Sequence, residues 1–255
     1  MNKSDCIVFD DVSISYGSEQ AVRNVSFSVP TGEVFAIVGE SGSGKSTLVR
    51  AAFGILKQAT ISGQILLNGT DVSTLKASDW RQLRGTKISM IFQNPSAYLN
   101  PNRTVENHFK DLFRAHGESY EIARVIDMLK LVHLNDGERI LQSYPFQLSG
   151  GMQQRLAIAL SLILKPSIVF ADEPTSALDM LVQASVLDLM KEVTQALGAT
   201  VIIVTHNIKS AARIANSIGV MNKGRLVEVG STEEVMACPK DEYTRVLLDS
   251  VTKVV

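Results

Sequence analysis

Residues 39–46 read GESGSGKS, fitting G-x-x-x-x-G-K-[ST]; they follow the apolar run VFAIV at 34–38 and precede Thr47-Leu48-Val49, which can begin a helix. In a strand, glycine-rich loop and helix of this kind, successive backbone N–H groups converge on phosphate oxygens, and the helix N-terminus adds partial positive charge. On this reading Gly39, Ser41, Gly42, Ser43, Gly44 and Thr47 build a phosphate cradle. Lys45 reaches the β- and γ-phosphates of a nucleoside triphosphate, and the Ser46 hydroxyl ligates Mg²⁺.

A second element, IVFADE at 168–173, brings two adjacent carboxylates to the carboxyl end of an apolar strand, where open α/β sheets bind their ligands. Successive strand side chains point in opposite directions, so the two acids should do different work. Asp172 is the expected Mg²⁺ partner, directly or through water. Glu173 is then placed to polarise the water that attacks the γ-phosphate, a role worth about 10²–10⁴ in rate. The plainer alternative is a solvated acidic pair at a turn.

His206 comes two residues after VIIV at 201–204 and arrives at the same sheet edge. A histidine after a strand often only packs, but beside the other groups it reads as a hydrogen-bond partner for the γ-phosphate or the attacking water. Gln93, after the strand at 88–92, can offer its amide oxygen to the metal or the water. Tyr16, in the loop Ser15-Tyr16-Gly17, is placed to stack on adenine. His108, His116 and His133 fall in a helical stretch without such placement and read as surface or packing residues.

These groups need a scaffold, and the hydrophobic pattern describes one. VFAIV, IVFA and VIIV are nearly continuous apolar runs, as strands covered on both faces are, and read as the centre of a parallel sheet. Between the last two, Val182, Val186, Leu189 and Val193 recur at helical spacing within 178–197, completing a strand, helix, strand crossover. The alternation Val25, Phe27, Val29 and the segment 61–67 ending in Asn68-Gly69 predict half-exposed antiparallel strands, hence a small flanking sheet. From about 105 to 165 the strand signal gives way to helical patterns such as Ile122, Val125, Ile126, Leu129. After the Lys223-Gly224 turn and a strand at 225–229, Ser231-x-x-Glu234 predicts a capping box on a last helical region.

The expected fold is α/β: a P-loop NTPase core of RecA-like type with a parallel sheet, a small antiparallel β-subdomain and an α-helical insertion. The expected division of this single domain is a core over about 1–92 and 166–230, a helical subdomain over about 93–165 and a C-terminal helical segment over about 231–255.

With 45% hydrophobic residues among 255, the chain can bury a substantial core. Its 25 basic and 26 acidic residues give a net charge of −1, which lacks the footprint of a duplex-binding protein, so no nucleic acid is expected. Arg81, Arg84 and Lys87 read as a solvated loop before a strand. The start MNKSDCIVFDD carries acids where a secretion signal needs a positive, then apolar, stretch, and the longest uncharged apolar run, 156–164, falls short of the ~20 residues that span a bilayer. Cys6 and Cys238 fit free thiols in a reducing cytosol.

LSGGMQQR at 148–155 carries no nucleophile, base or metal ligand, yet it sits between the armed stretches. Taken in order, Tyr16, GESGSGKS, Gln93, LSGGMQQR, IVFADEP at 168–174, SALD at 176–179 and His206 resemble the ATP-binding subunits of ABC transporters along almost the whole chain. The resemblance implies that Tyr16 stacks on adenine, Gln93 forms the Q-loop, Ser149, Gly150 and Gly151 are the signature motif, Asp179 is the D-loop residue and His206 the switch histidine. It also implies head-to-tail dimers with two ATP molecules in the interface. Since Gly42 to Ser46 already cradle the chain's own phosphates, Ser149 to Gly151, at the start of an apolar helix ending near Pro166, would serve the ATP of a partner.

Implied partners are a second ABC ATPase subunit, the same or paralogous, two transmembrane permease subunits and, indirectly, an extracytoplasmic substrate-binding protein. The implied location is the cytoplasmic face of the membrane. SYPFQLSGGMQQR, IFQNPSAYLNP at 91–101 and CPKDEYTRVLL at 238–248 resemble the peptide and nickel importer branch. Asn207 departs from the acidic residue usual after the switch histidine, and Met152 stands where many relatives have Gln. The chain ends at Val255, without the cysteine-bearing tail of many peptide-importer subunits, which favours a nickel or metallophore type. The transported substrate is therefore expected to be a peptide, nickel or a metal chelate. The competing reading is a soluble ABC ATPase acting on nucleic acid or ribosomes.

Overall fold

The computed structural model describes residues 5–176 and 178–252; expectations resting on the first four residues, on Ala177 of the SALD stretch and on the last three lie outside the described residues. Along the chain, β1 (Asp5–Tyr16) and β2 (Glu19–Pro30) form a hairpin, β3 (Val34–Val38) leads into α1 (Lys45–Ala52), and β4 (Thr60–Leu67) with β5 (Thr70–Asp71) returns to the hairpin. A short α2 (Ala77–Leu83) precedes β6 (Ile88–Ile91). Four helices come next, α3 (Val105–Ala115), α4 (Ile122–Leu131), α5 (Gly137–Gln142) and α6 (Gly150–Leu162). The chain then alternates through β7 (Ile168–Asp172), α7 (Met180–Leu197), β8 (Thr200–Thr205), α8 (Ile208–Ile214), β9 (Ser217–Asn222) and β10 (Arg225–Ser231), and closes with α9 (Thr232–Ala237) and α10 (Glu242–Thr252).

The larger sheet has the order β10-β9-β3-β8-β7-β6. Its pairs are parallel except β10 on β9, so the three apolar runs of the sequence are adjacent central strands. The smaller sheet, β2-β1-β4-β5, is antiparallel. This is the α/β architecture the sequence implies.

Side-chain alternation on β3 shows how the layers join. Val34, Ala36 and Val38 pack with the helices on one face, whereas Phe35 and Ile37 pack with α1 and the antiparallel sheet on the other. Phe9, Phe27 and Phe35 form a continuous stack, with ring centroids 4.6 and 4.7 Å apart, from β1 through β2 to the central strand. Such aromatic pairs add directional attraction to the burial of apolar area. On α7 the predicted stripe faces inward: Val186, Leu189 and Val193 are buried. The capping box at Ser231 and Glu234 opens α9, and among the described residues no helix is long and apolar enough to cross a membrane.

Two local expectations need correction. Tyr16 ends strand β1 rather than lying in a loop. Arg84 is not a solvated loop residue: its guanidinium donates to the Phe53 and Gly54 carbonyls and lies over the Phe53 and Trp80 rings. The carbonyls at the end of α1 lack helical partners, and Arg84 satisfies them. Arg81 and Lys87 are exposed, Arg81 on α2.

Candidate nucleotide site

The loop from β3 to α1 folds back on itself because its glycines take up conformations closed to other residues. Gly39 has φ 150°, and a Cβ there would sit 2.1 Å from the Met221 carbonyl oxygen of β9. Gly44 caps α1 at φ 98°, with the Ala21 carbonyl oxygen 2.5 Å from where its Cβ would be. The loop is further tied to the β9–β10 turn, since Gly224 N–H donates to the Ser43 carbonyl at 3.1 Å and Arg23 N–H to the Gly224 carbonyl at 2.8 Å.

The loop forms one wall of an open cleft of about 660 Å³. Of the residues singled out in the sequence, Tyr16, Ser41, Gly42, Gly44, Lys45, Ser46, Thr47 and Glu173 line it; Gly39 and Ser43 are buried behind it. Arg23 and Lys223 also line it, and sequence reasoning missed both, because neither belongs to a motif and only the sheet pairing brings them there. Their charges suit an anionic ligand.

Lys45 is 4% exposed, and its ammonium donates to the Gly39 and Glu40 carbonyls at 2.8 and 2.7 Å and to the Ser43 hydroxyl at 3.3 Å. Burial lowers its pKa, while Glu173, Asp172 and Glu40 pull in the opposite direction. Below the lysine, the Ser46 hydroxyl donates to Asp172 Oδ1 at 2.6 Å, and Arg50 donates through Nε to Oδ2 at 3.0 Å. Arg50 is a further member of the site. Its signal in the sequence is its place four residues after Ser46, on the same face of α1.

Asp172 ends β7, and the next residue turns sharply: Glu173 adopts φ 46° while its N–H donates to the Val204 carbonyl of β8 at 2.9 Å. A left-handed non-glycine residue of this kind costs on the order of 1 kcal/mol or more. It separates the two carboxylates, so a turn after the strand, rather than alternation along it, sets their different directions. Asp172 faces α1, and Glu173 Oε2 lies 3.3 Å from Nδ1 of His206. His206 is therefore joined to Glu173 beside the cleft. Gln93 is exposed beyond β6 and is not part of the cleft wall.

Ser149, Gly150 and Gly151 lie elsewhere. Ser149 caps α6, its hydroxyl accepting from Met152 N–H, while Gln153 holds the preceding turn by donating to the Pro145 and Leu148 carbonyls. Gly151 is close under α7: a Cβ there would meet Val182 Cγ1 at 3.0 Å. Ser149 and Gly151 line a second cleft of about 350 Å³, and none of its lining residues belongs to the first. Asp179 caps α7 by accepting from Val182 N–H.

The profile of the family described as ABC transporter matches residues 22–176. The chain is 42% identical over 243 residues to the dipeptide transport ATP-binding protein DppD of Bacillus subtilis (strain 168), covering 93% of this chain and 72% of that one. It is 40% identical over 237 residues to the oligopeptide transport ATP-binding protein OppD of Lactococcus lactis subsp. cremoris (strain SK11), covering 91% and 70%. Among solved structures it resembles cbiO1 from Clostridium perfringens, part of the ABC transporter complex cbiONQ, with TM-score 0.79 and 27% identity over 99% of this chain and 98% of that one. It also resembles the dimeric ATP-binding cassette MJ0796 in a post-hydrolysis state bound to ADP and Pi, with TM-score 0.77 and 29% identity over 89% and 98%. With the motifs in this order, the profile across more than half its length and relatives this similar, the chain belongs to the ABC transporter family.

Proposed function

We propose that this chain is the ATP-hydrolysing subunit of an importer for dipeptides or oligopeptides, working at the cytoplasmic face of a membrane as one half of a head-to-tail pair. The observation that carries the reading is the existence of two clefts with no lining residue in common. One is lined by the phosphate loop with Lys45, Ser46 and Glu173, and the other is a capped helix N-terminus with glycines that can approach a phosphate closely. A chain that binds its own triphosphate in the first cleft can offer the second only to a nucleotide carried by another subunit. The dimeric assembly of MJ0796 supports such pairing.

Within the first cleft, the loop N–H groups and Lys45 bind the triphosphate, and Tyr16 takes the base. The Ser46 hydroxyl and Asp172 carboxylate are an oxygen donor set of the kind Mg²⁺ prefers. Their oxygens are 2.6 Å apart, close enough to face one ion. These two residues would hold Mg²⁺, with the Gln93 amide joining as the cleft closes, and the ion would neutralise charge on the phosphates. Glu173 accepts the proton of the attacking water, and His206, next to it, orients that carboxylate and meets the γ-phosphate. Asp179 carries the exchange between the two subunits at the start of α7. Loss of the γ-phosphate contacts opens the pair, and the opening and closing is delivered to two permease subunits that receive substrate from an extracytoplasmic binding protein.

The named substrates of the relatives, dipeptides and oligopeptides, support peptides over nickel or a metal chelate. The balanced charge lends no support to a soluble ATPase acting on nucleic acid.

Two measurements test the proposal. The purified chain should release phosphate from Mg-ATP, and the tagged chain should copurify with membrane permease subunits from its own cells. ATP binding without phosphate release overturns the enzymatic half. An active ATPase recovered free of permease overturns the importer half.

A further inference from the structure

The Asp172 carboxylate is shared between two side chains of one helix face. Its Oδ1 accepts from the Ser46 hydroxyl at 2.6 Å, and its Oδ2 accepts from Arg50 through Nε at 3.0 Å and Nη2 at 2.9 Å. The carboxylate side chain is 3% exposed and that of Arg50 46%. A carboxylate so buried is costly to keep ionised unless a cation or several donors compensate it, and here Arg50 supplies the cation. The guanidinium, unlike the acid, has solvent on one side.

We propose that Arg50 is a positioning residue that competes with Mg²⁺ for Asp172. This rests on reading Ser46 and Asp172 as the residues that hold the metal. Arg50 keeps the carboxylate ionised, hydrogen-bonded and aimed at Ser46 until the ion arrives. The ion then takes over the neutralisation, and Arg50, repelled by the second positive charge, swings toward solvent along its exposed side. Arg50 does not line the nucleotide cleft; it sets how much Mg²⁺ is needed to load the site. The same contact thus stabilises the fold and weakens metal binding, so its removal must move the two properties in opposite senses. A purely structural ion pair would lower stability alone.

Arg50→Met keeps most of the aliphatic stem and removes the charge. Mg²⁺ titrated into the full chain mixed with a fluorescent ADP analogue reads metal loading without turnover, and thermal unfolding without metal or nucleotide reads the lost pairing. The half-saturating Mg²⁺ concentration should fall about fivefold, as expected when a competing interaction is removed, while the melting temperature should fall by roughly 5 °C. Arg50→Lys keeps a charge but loses the two-nitrogen grip; it should lie between wild type and Arg50→Met in both readings, and it carries the test if the methionine variant does not fold. An unchanged or raised Mg²⁺ requirement in the variants overturns the competition. Nucleotide binding indifferent to Mg²⁺ in the wild type overturns both the competition and the metal reading on which it rests.

Discussion

The two clefts start from the same local device and end with different capacities. Each lies at the N-terminus of a helix, α1 or α6, entered through glycines or a capping serine. At α1 the side chains are engaged with one another: Lys45 with its own loop, Ser46 and Arg50 with Asp172, and Glu173 with His206. At α6 the polar side-chain work is structural, since Ser149 caps the helix and Gln153 holds the turn before it. A helix N-terminus alone can hold a phosphate, but breaking a bond also needs an acid, a base and a charge aimed at the reacting atoms. On the proposed reading, phosphate recognition is present twice in the chain and chemical machinery once, a division that would make each subunit dependent on a neighbour.

The most severe way to break this contrast is at Glu173. Glu173→Gln keeps the shape of the side chain and can still bond to His206, but it cannot accept a proton from water. Hydrolysis should fall about 10²- to 10⁴-fold, while ATP still binds and the paired form accumulates, as size-exclusion chromatography with ATP would show. Turnover at the wild-type rate would mean that the base lies elsewhere and that Glu173 serves the turn after β7.

How much of this was legible before folding depended on whether the signal was local. The glycine loop, the three apolar strands and the stripe on α7 are written in short windows, and the structure has them at the predicted places. Contacts between distant segments left little such trace, and for Arg50 only its place four residues after Ser46 hinted at it. Arg50 meets Asp172 across 122 positions, Arg23 on β2 and Lys223 at the β9–β10 turn come from different sheets to one cleft, and Arg84 leaves a basic stretch to hold the end of α1. The left-handed turn at Glu173 is equally silent, because glutamate has no local preference for that conformation. In each case tertiary packing set the outcome after the sequence had specified only the neighbourhood.

A smaller perturbation separates the clefts without touching the chemistry. Ser149→Arg adds bulk and charge at the mouth of the second cleft. The affinity of the isolated subunit for ATP, measured at concentrations below pairing, should stay within about twofold, because no residue of that cleft lines the first. ATP-driven pairing should weaken at least tenfold, since a buried unpaired charge in an interface costs about 2 kcal/mol or more, and hydrolysis per subunit should fall with it. Loss of ATP binding by the isolated subunit would show that the two clefts are one site.

The mildest substitution asks whether Ser149 has one duty or two. As a cap it accepts from Met152 N–H, and Ser149→Ala should cost about 1 kcal/mol of stability for that bond alone. Ser149→Asn restores a good cap with a longer side chain. If capping is the whole role, asparagine should recover both the melting temperature and the ATP-driven pairing. If the hydroxyl also meets the partner's phosphate, asparagine should recover the melting temperature and leave pairing weak, because its longer carboxamide caps the helix but does not place a donor where the hydroxyl stood. A direct role for Ser149 in the second cleft requires the second pattern. The first would place phosphate recognition in the glycines alone and leave Ser149 as part of the helix rather than of the site.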